Sequence, residues 1–262
     1  LRWKGTVANP FQYEVVGKID NEAATLCAHE GRLYAFTWAT VSPFWTKLTG
    51  AKSLHLPGVW MSPPIPANGL TAADRFRWKN VWTIDRYDPD PVLAPTVWMG
   101  AAESFDGHLV WGTIQIPGVG GEALLAEYGT PDTAALFIES YLKSYRTAPL
   151  FRGKLTAGQI FTVELLYGDE KLPRYTPSGP GQGAWSLVAN QTGPPLLGPA
   201  GFGQSDNAYI WSMAVHDEKL YVGTFDRSFI RYGNAFANGQ AVPDDLGADL
   251  LVELLQRLVG GI

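Results

Sequence analysis

Hydrophobic and polar positions alternate most clearly in three stretches of the chain. Tyr209 to Val215 is rich in strand formers, Asp217-Glu218 interrupts it, and Leu220 to Phe225 resumes the alternation, which predicts a β-hairpin. The same phrase runs from His29 through Glu30-Gly31 to Leu33 and Thr37, and from Phe105 through Asp106-Gly107 to Leu109 and Thr113. In each copy an acidic residue opens the turn, a Leu follows three positions later, and a Thr comes four residues after that Leu. A looser copy, Asp169-Glu170-Lys171-Leu172 with Thr176, carries Pro173 and Arg174 where a strand is expected, and the Asn68-Gly69 turn is a weaker candidate still. Further strands are expected at Gln12 to Ile19, Lys79 to Tyr87 and Gln159 to Tyr167, after an irregular Leu1 to Pro10. Pro43, Pro57, Pro63, Pro64 and Pro66 read Ser42 to Ala67 as a long connection rather than a central strand. Glu122 to Tyr128 and Thr133 to Tyr145 fit short helices or an outer strand, since their periodicity does not decide. Pro177 to Gly183 and Gly193 to Gly203 read as loops. After Asp245, apolar residues three or four apart from Ala248 to Leu258 predict an amphipathic helix stopped by Gly260-Gly261.

The five candidate turns lie 38, 38, 63 and 48 residues apart. Hairpins recurring at roughly 40 to 50 residues are the mark of propeller blades, small sheets that bury their faces by stacking. The three strong copies resemble the β-propeller superfamily, in its secreted, Kelch-like members, whose inner hairpin reads acidic-Gly-x-Leu-Tyr-x-Gly-Thr. The resemblance implies an all-β fold over Gln12 to Tyr232 and carries no catalytic residue over. The expected architecture is a five-bladed propeller, with four to six blades allowed by the uneven spacing, over residues 1–243, including a short helical insertion and followed by a C-terminal helical segment over 244–262.

Composition adds to this picture: 10 Trp, 11 Tyr and 12 Phe beside 29 Gly and 19 Pro describe many short aromatic strands joined by tight turns. A net charge of -5 with scattered Lys and Arg offers no basic face to a phosphate backbone and argues against nucleic-acid binding. No apolar run reaches the roughly 18 to 20 residues of a transmembrane helix. The single Cys27 excludes an internal disulfide and a Cys-rich zinc site, and its alternating strand predicts a small buried side chain. A chain starting at Leu1 fits removal of an export signal, hence an extracytoplasmic location, or trimmed ends.

Candidate chemistry is sparse. His29 and His216 share the slot that Phe105 fills in the other copy, which predicts a packing position, while His108 sits in a variable, solvent-facing turn position. Glu103, Asp206 and Asp226 flank the strong hairpins where a ligand would meet a propeller mouth, and two such carboxylates suit glycosidic acid-base chemistry or Ca²⁺. The acidic run Asp85 to Asp90 lacks the alternating ligands of a calcium loop and predicts a solvated strand end. Asn190-Gln191-Thr192 matches a glycosylation sequon. Trp98, Trp111 and Trp211 fall in or beside repeat strands and are expected to pack between blades. Trp45, Trp60 and Trp185 fall among Gly and Pro, where a loop Trp can offer its face to a sugar or a partner. The reading is a non-catalytic binding or scaffold module with a protein partner, a homo-oligomer or a glycan as its ligand, and with no cofactor. A carbohydrate-active hydrolase or lyase using Glu103, Asp206 and Asp226, and a lectin using the three tryptophans, are the alternatives.

Overall fold

A computed structural model describes residues 1–39, 55–116, 118–156 and 161–228. Within them the chain is all-β, with antiparallel sheets and two short helices. The segment 244–262 and Trp45 lie outside the described residues.

Each strong repeat folds as a hairpin. Strands β3 (Glu22–His29) and β4 (Arg32–Trp38) pair through Cys27↔Tyr34, and β7 (Trp98–Phe105) and β8 (His108–Ile114) through Glu103↔Val110. Strands β13 (Asn207–His216) and β14 (Lys219–Asp226) pair through Val215↔Leu220. All three two-residue turns put both central residues at positive φ: Glu30 and Gly31 at 45° and 70°, Asp106 and Gly107 at 47° and 68°, Asp217 and Glu218 at 47° and 57°. This backbone twist matches the twist of the flanking strands, and it explains the acidic-Gly phrase. The third turn holds Glu218 where the others hold Gly, so Glu218→Gly is expected to stabilise the fold by about 0.5–1 kcal/mol in urea titration.

The first two hairpins extend into four-stranded meanders. Strand β5 (Gly58–Met61) adds to β4, and β6 (Lys79–Thr83) to β5. Strand β9 (Leu150–Leu155) adds to β8, and β10 (Phe161–Tyr167) to β9. Strand β5 corrects the expectation of a loop across Ser42 to Ala67: Pro57 and Pro63 bracket the strand, so neither removes one of its ladder donors. The short pair β1 (Arg2–Trp3) and β2 (Tyr13–Glu14) replaces the longer first strand expected from Gln12 to Ile19.

The looser fourth copy is not a hairpin turn. Asp169 and Glu170 join β10 to β11 (Lys171–Gly179), and β11 pairs with β12 (Gln182–Ala189), so the turn falls at Pro180-Gly181, inside the expected loop. Pro173 and Pro177 are tolerated because this hairpin stands as a two-stranded sheet, so no neighbouring strand needs their missing donors; the Tyr175 N–H between them donates to the Asp90 side chain instead.

Between β8 and β9 the chain forms two helices, α1 (Val119–Tyr128) and α2 (Ala134–Lys143). The Thr133 hydroxyl caps α2 by accepting from the Leu136 N–H at 3.2 Å, and Gly129 at φ 84° ends α1.

Strand β7 lies beside both β3 and β13. The aromatic core joins the two meanders: Trp111 packs against Phe36, Trp82, Phe151 and Phe161, all within 6.2 Å between ring centroids. Among the described residues no sheet closes on itself. Of the three repeat-strand tryptophans, Trp111 is fully buried, Trp98 stacks on Trp38 at 5.1 Å, and Trp211 is 62% exposed.

Strand β13 reaches the second meander through Tyr209↔Ile114, with Ile210 seated on two glycines. A Cβ on Gly112 would stand 2.4 Å from Ile210 Cβ, and one on Gly100 would stand 2.3 Å from the Ile210 carbonyl oxygen. Gly112→Ala is therefore expected to cost about 1–3 kcal/mol by overpacking. Adding Ile210→Gly, which removes that Cβ where Ile210→Ala would keep it, should recover part of that loss, and strictly additive losses would show that the contact is not the cause.

Candidate functional site

The two helices and Tyr175 of β11 form a shallow aromatic cleft, with room for about 20 Å³, that opens to solvent. Tyr128, Phe137, Tyr141 and Tyr175 form its walls, and Leu125 and Pro131 also line it. Tyr128 and Tyr175 stand 5.3 Å apart between ring centroids. Trp185 backs Tyr175 at 5.3 Å and donates from Nε1 to Ser140 Oγ at 3.2 Å, which ties the hairpin to α2. The Tyr145 hydroxyl donates to that of Tyr141 at 2.9 Å and fixes the far wall. Burial raises the Tyr128 and Tyr175 phenols above their ordinary range, so both are neutral at physiological pH. Gly121 admits α1 to this wall, since a Cβ there would lie 3.2 Å from the Tyr141 ring.

A buried polar anchor holds the rear of the cleft. Asp90 accepts from the backbone N–H groups of Val92, Leu93 and Tyr175 at 2.8–3.0 Å. Its pKa is raised, chiefly by burial, against the pull of those three donors. Beside it the Arg146 guanidinium makes a forked contact with Asp88, at 2.6 Å from Nε and 3.2 Å from Nη2. Arg146 also donates to the carbonyls of Lys143 and Pro173 at 2.7 Å. Asp88 and Asp90 are each 1% exposed, which corrects the solvated strand end expected for this run. The Asp-Pro-Asp-Pro sequence folds inward because Arg146 and the turn amides supply the partners that water would otherwise provide.

Of the tryptophans expected in loops, Trp60 and Trp185 lie on strands. Trp60 is half-buried on β5 opposite Ala35, and its Nε1 donates to Asn21 Oδ1 at 3.2 Å. Trp185 is half-buried on β12 opposite Tyr175, behind the cleft. The Gly and Pro residues around both mark strand ends and tight turns, a role that composition does not separate from a loop.

The three carboxylates occupy two regions. Glu103 sits on β7 and accepts from the Ser104 N–H at 3.0 Å. Burial pushes the nearby Cys27 thiol up to about 11, and the Glu103 charge adds to that shift. Asp206 and Asp226 come together at the open ends of β13 and β14. Asp206 is buried and pairs with Arg227 Nε at 3.5 Å, and Arg227 lies 3.8 Å over the Tyr145 ring. Asp226 is exposed, opposite Asn207, and accepts from the Ser228 N–H at 2.6 Å.

The shared histidine slot is not uniformly a packing position. His29 is 4% exposed and its Nδ1 lies 2.8 Å from Ser104 Oγ across the β3–β7 seam, whereas His216 is exposed and pairs with Asp217 at 3.3 Å. Burial lowers the His29 pKa, His108 lowers it further, and Glu30 opposes both. The unfolded chain binds this proton near pH 6.5 while the folded chain binds it only at lower pH, so the stability His29 contributes is present above pH 6.5 and declines below it. Urea titrations from pH 7.5 to 5 should show that decline, and His29→Phe, which copies Phe105, should flatten it; equal slopes for both proteins would refute the assignment.

The sequon asparagine is part of a turn. Asn190 Nδ2 donates to the Asp169 carbonyl at 2.8 Å, and its Oδ1 accepts from the N–H groups of Thr192 and Gly193. A glycan on Nδ2 would displace that carbonyl contact. No helix among the described residues is long and apolar enough to cross a membrane. No protein-family model matches the chain, and no curated protein or solved structure matches it either.

Proposed function

We propose that the chain is a non-catalytic binding or scaffold module on a β-propeller framework, acting outside the cytoplasm within a larger assembly. Two consecutive meanders in the orders β3-β4-β5-β6 and β7-β8-β9-β10 support the framework, as does the placement of β7 beside β3 and β13, the way first strands of successive blades would lie. The aromatic cleft is the observation that carries the binding function. Its walls are apolar rings, Ser140 Oγ already accepts from Trp185, and the Tyr141 hydroxyl already pairs with Tyr145. Such a surface suits an apolar side chain of a protein partner better than a sugar, which needs several polar groups of its own satisfied.

The test is the mass of the native material by light scattering, with mass spectrometry of its components, for the unaltered chain and for Leu125→Arg. Associated chains that Leu125→Arg releases without changing the melting temperature would support the reading. An unaltered chain that carries no other component and instead binds members of a glycan panel would replace it with a lectin.

A further inference from the structure

The cleft between α1, α2 and Tyr175 has room for only about 20 Å³, too little to swallow a bulky side chain. What it offers instead is a set of ring surfaces. Of its aromatic walls Tyr175 is buried, and Tyr128, Phe137 and Tyr141 are half-buried. Such a shallow surface favours a ligand residue that is itself a flat, low-profile apolar ring. Proline is that residue, and a run of prolines already holds the polyproline II helix before it binds, so docking costs little conformational entropy.

Two polar features fit the same ligand. The Tyr128 and Tyr175 hydroxyls have no hydrogen-bond partner among the described residues, whereas that of Tyr141 is taken up by Tyr145. A polyproline II helix makes no internal hydrogen bonds, which leaves its carbonyls free to accept from protonated phenols. The second feature is charge. Glu127, near the end of α1, and Asp132, in the α1–α2 connection, are both exposed. After burial and Asp90, Glu127 adds to the rise of the Tyr128 pKa, with Arg174 opposing; after burial, Asp132 adds to that of Tyr175. Both carboxylates therefore stand near the rings. Across residues 119–143, Glu122, Glu127, Asp132 and Glu139 are set against Lys143, and that lysine is already paired with Glu139 at 2.6 Å.

On the reading that the cleft is the binding surface, we infer that its ligand is a proline-rich segment of a partner protein, with Lys or Arg beside the prolines to meet Glu127 and Asp132. The prolines lie on the Tyr128, Tyr141 and Tyr175 rings. The free Tyr128 and Tyr175 hydroxyls donate to the carbonyls of the segment, which fixes its position along the cleft.

The experiment is fluorescence anisotropy of three labelled peptides titrated with the full chain. The first is proline-rich with arginines at one end, the second keeps the arginines but replaces proline by alanine and serine, and the third keeps the prolines without the arginines. The first should bind roughly tenfold or more tightly than the second, and Leu125→Arg should abolish its binding. Glu127→Lys combined with Asp132→Lys should weaken the first roughly tenfold and leave the third unchanged. Equal binding of the first two peptides, no binding of the first, or binding indifferent to either set of substitutions would each overturn the proposal. The peptide comparison uses the unaltered chain, so it decides even where a variant loses its fold. If Leu125→Arg releases native partner chains while the first peptide fails to bind, the cleft remains the binding surface and only the proline-rich ligand falls. If nothing is released and no peptide binds, both fall.

Discussion

Arg146→Ala is expected to destabilise the protein by about 3–5 kcal/mol, because it strands the Asp88 carboxylate in a dry interior. The side chains of both partners are at most 2% exposed, so water cannot take over the lost contacts. The substitution also removes the donors to the Lys143 and Pro173 carbonyls, which join the end of α2 to β11. The loss should appear as a lower urea midpoint, accompanied by increased solvent access to Trp185 at the rear of the cleft. A paired replacement, Arg146→Met with Asp88→Leu, removes both charges and should recover much of the stability, since a buried ion pair contributes little beyond an apolar pair of similar size. If Arg146→Ala alone proved as mild as a surface change, Asp88 would have to be hydrated, contrary to its burial.

The second large effect is expected at Trp111. Its ring touches aromatic residues from both meanders: Phe36 and Trp82 from the first, Phe151 and Phe161 from the second. Trp111→Ala should cost about 3–5 kcal/mol, because rigid neighbouring rings cannot collapse into the space that it leaves. Trp211→Ala serves as the comparison: Trp211 is 62% exposed with Tyr209 stacked beside it, and its removal should cost below about 1 kcal/mol. Both tryptophans lie on repeat strands, Trp111 five residues after Asp106 and Trp211 six before Asp217, so equal costs would mean that membership of a repeat strand rather than burial sets their contribution.

Much of the fold was legible because its signals are local. Alternation marks a strand whatever lies beside it, and an acidic residue opens each turn at the same place in the phrase, so the three hairpins could be read to within a residue or two. Strand β5 was not legible, since four residues between prolines carry too little periodicity to outweigh them. The fourth phrase misled for a related reason. Asp169 to Leu172 matches Asp217 to Leu220 in letters, but a turn needs two strands that find each other, and β10 and β11 belong to different sheets.

The candidate site was hardly legible at all. Trp185, whose Gly and Pro surroundings suggest a loop, lies on β12 behind Tyr175 and does not line the cleft. Tyr128, Tyr141 and Tyr175 carry no motif, and their chain positions reveal nothing until two helices and a hairpin fold onto one another. Glu103 looked equivalent to Asp206 and Asp226 because all three flank repeat strands, yet its environment is the Cys27 side of β7.

By itself, the sequence determined the all-β class, the three hairpins with their tight turns, and the burial of Cys27, since each follows from interactions within a few residues or from the period-two pattern of a half-buried strand. Only the tertiary structure decided that Asp88 and Asp90 turn inward, that Trp111 is core while Trp211 is surface, and that an aromatic cleft forms. Those outcomes depend on which distant group supplies a hydrogen bond or covers a ring: Arg146 lies 58 residues from Asp88, and no local pattern specifies that meeting.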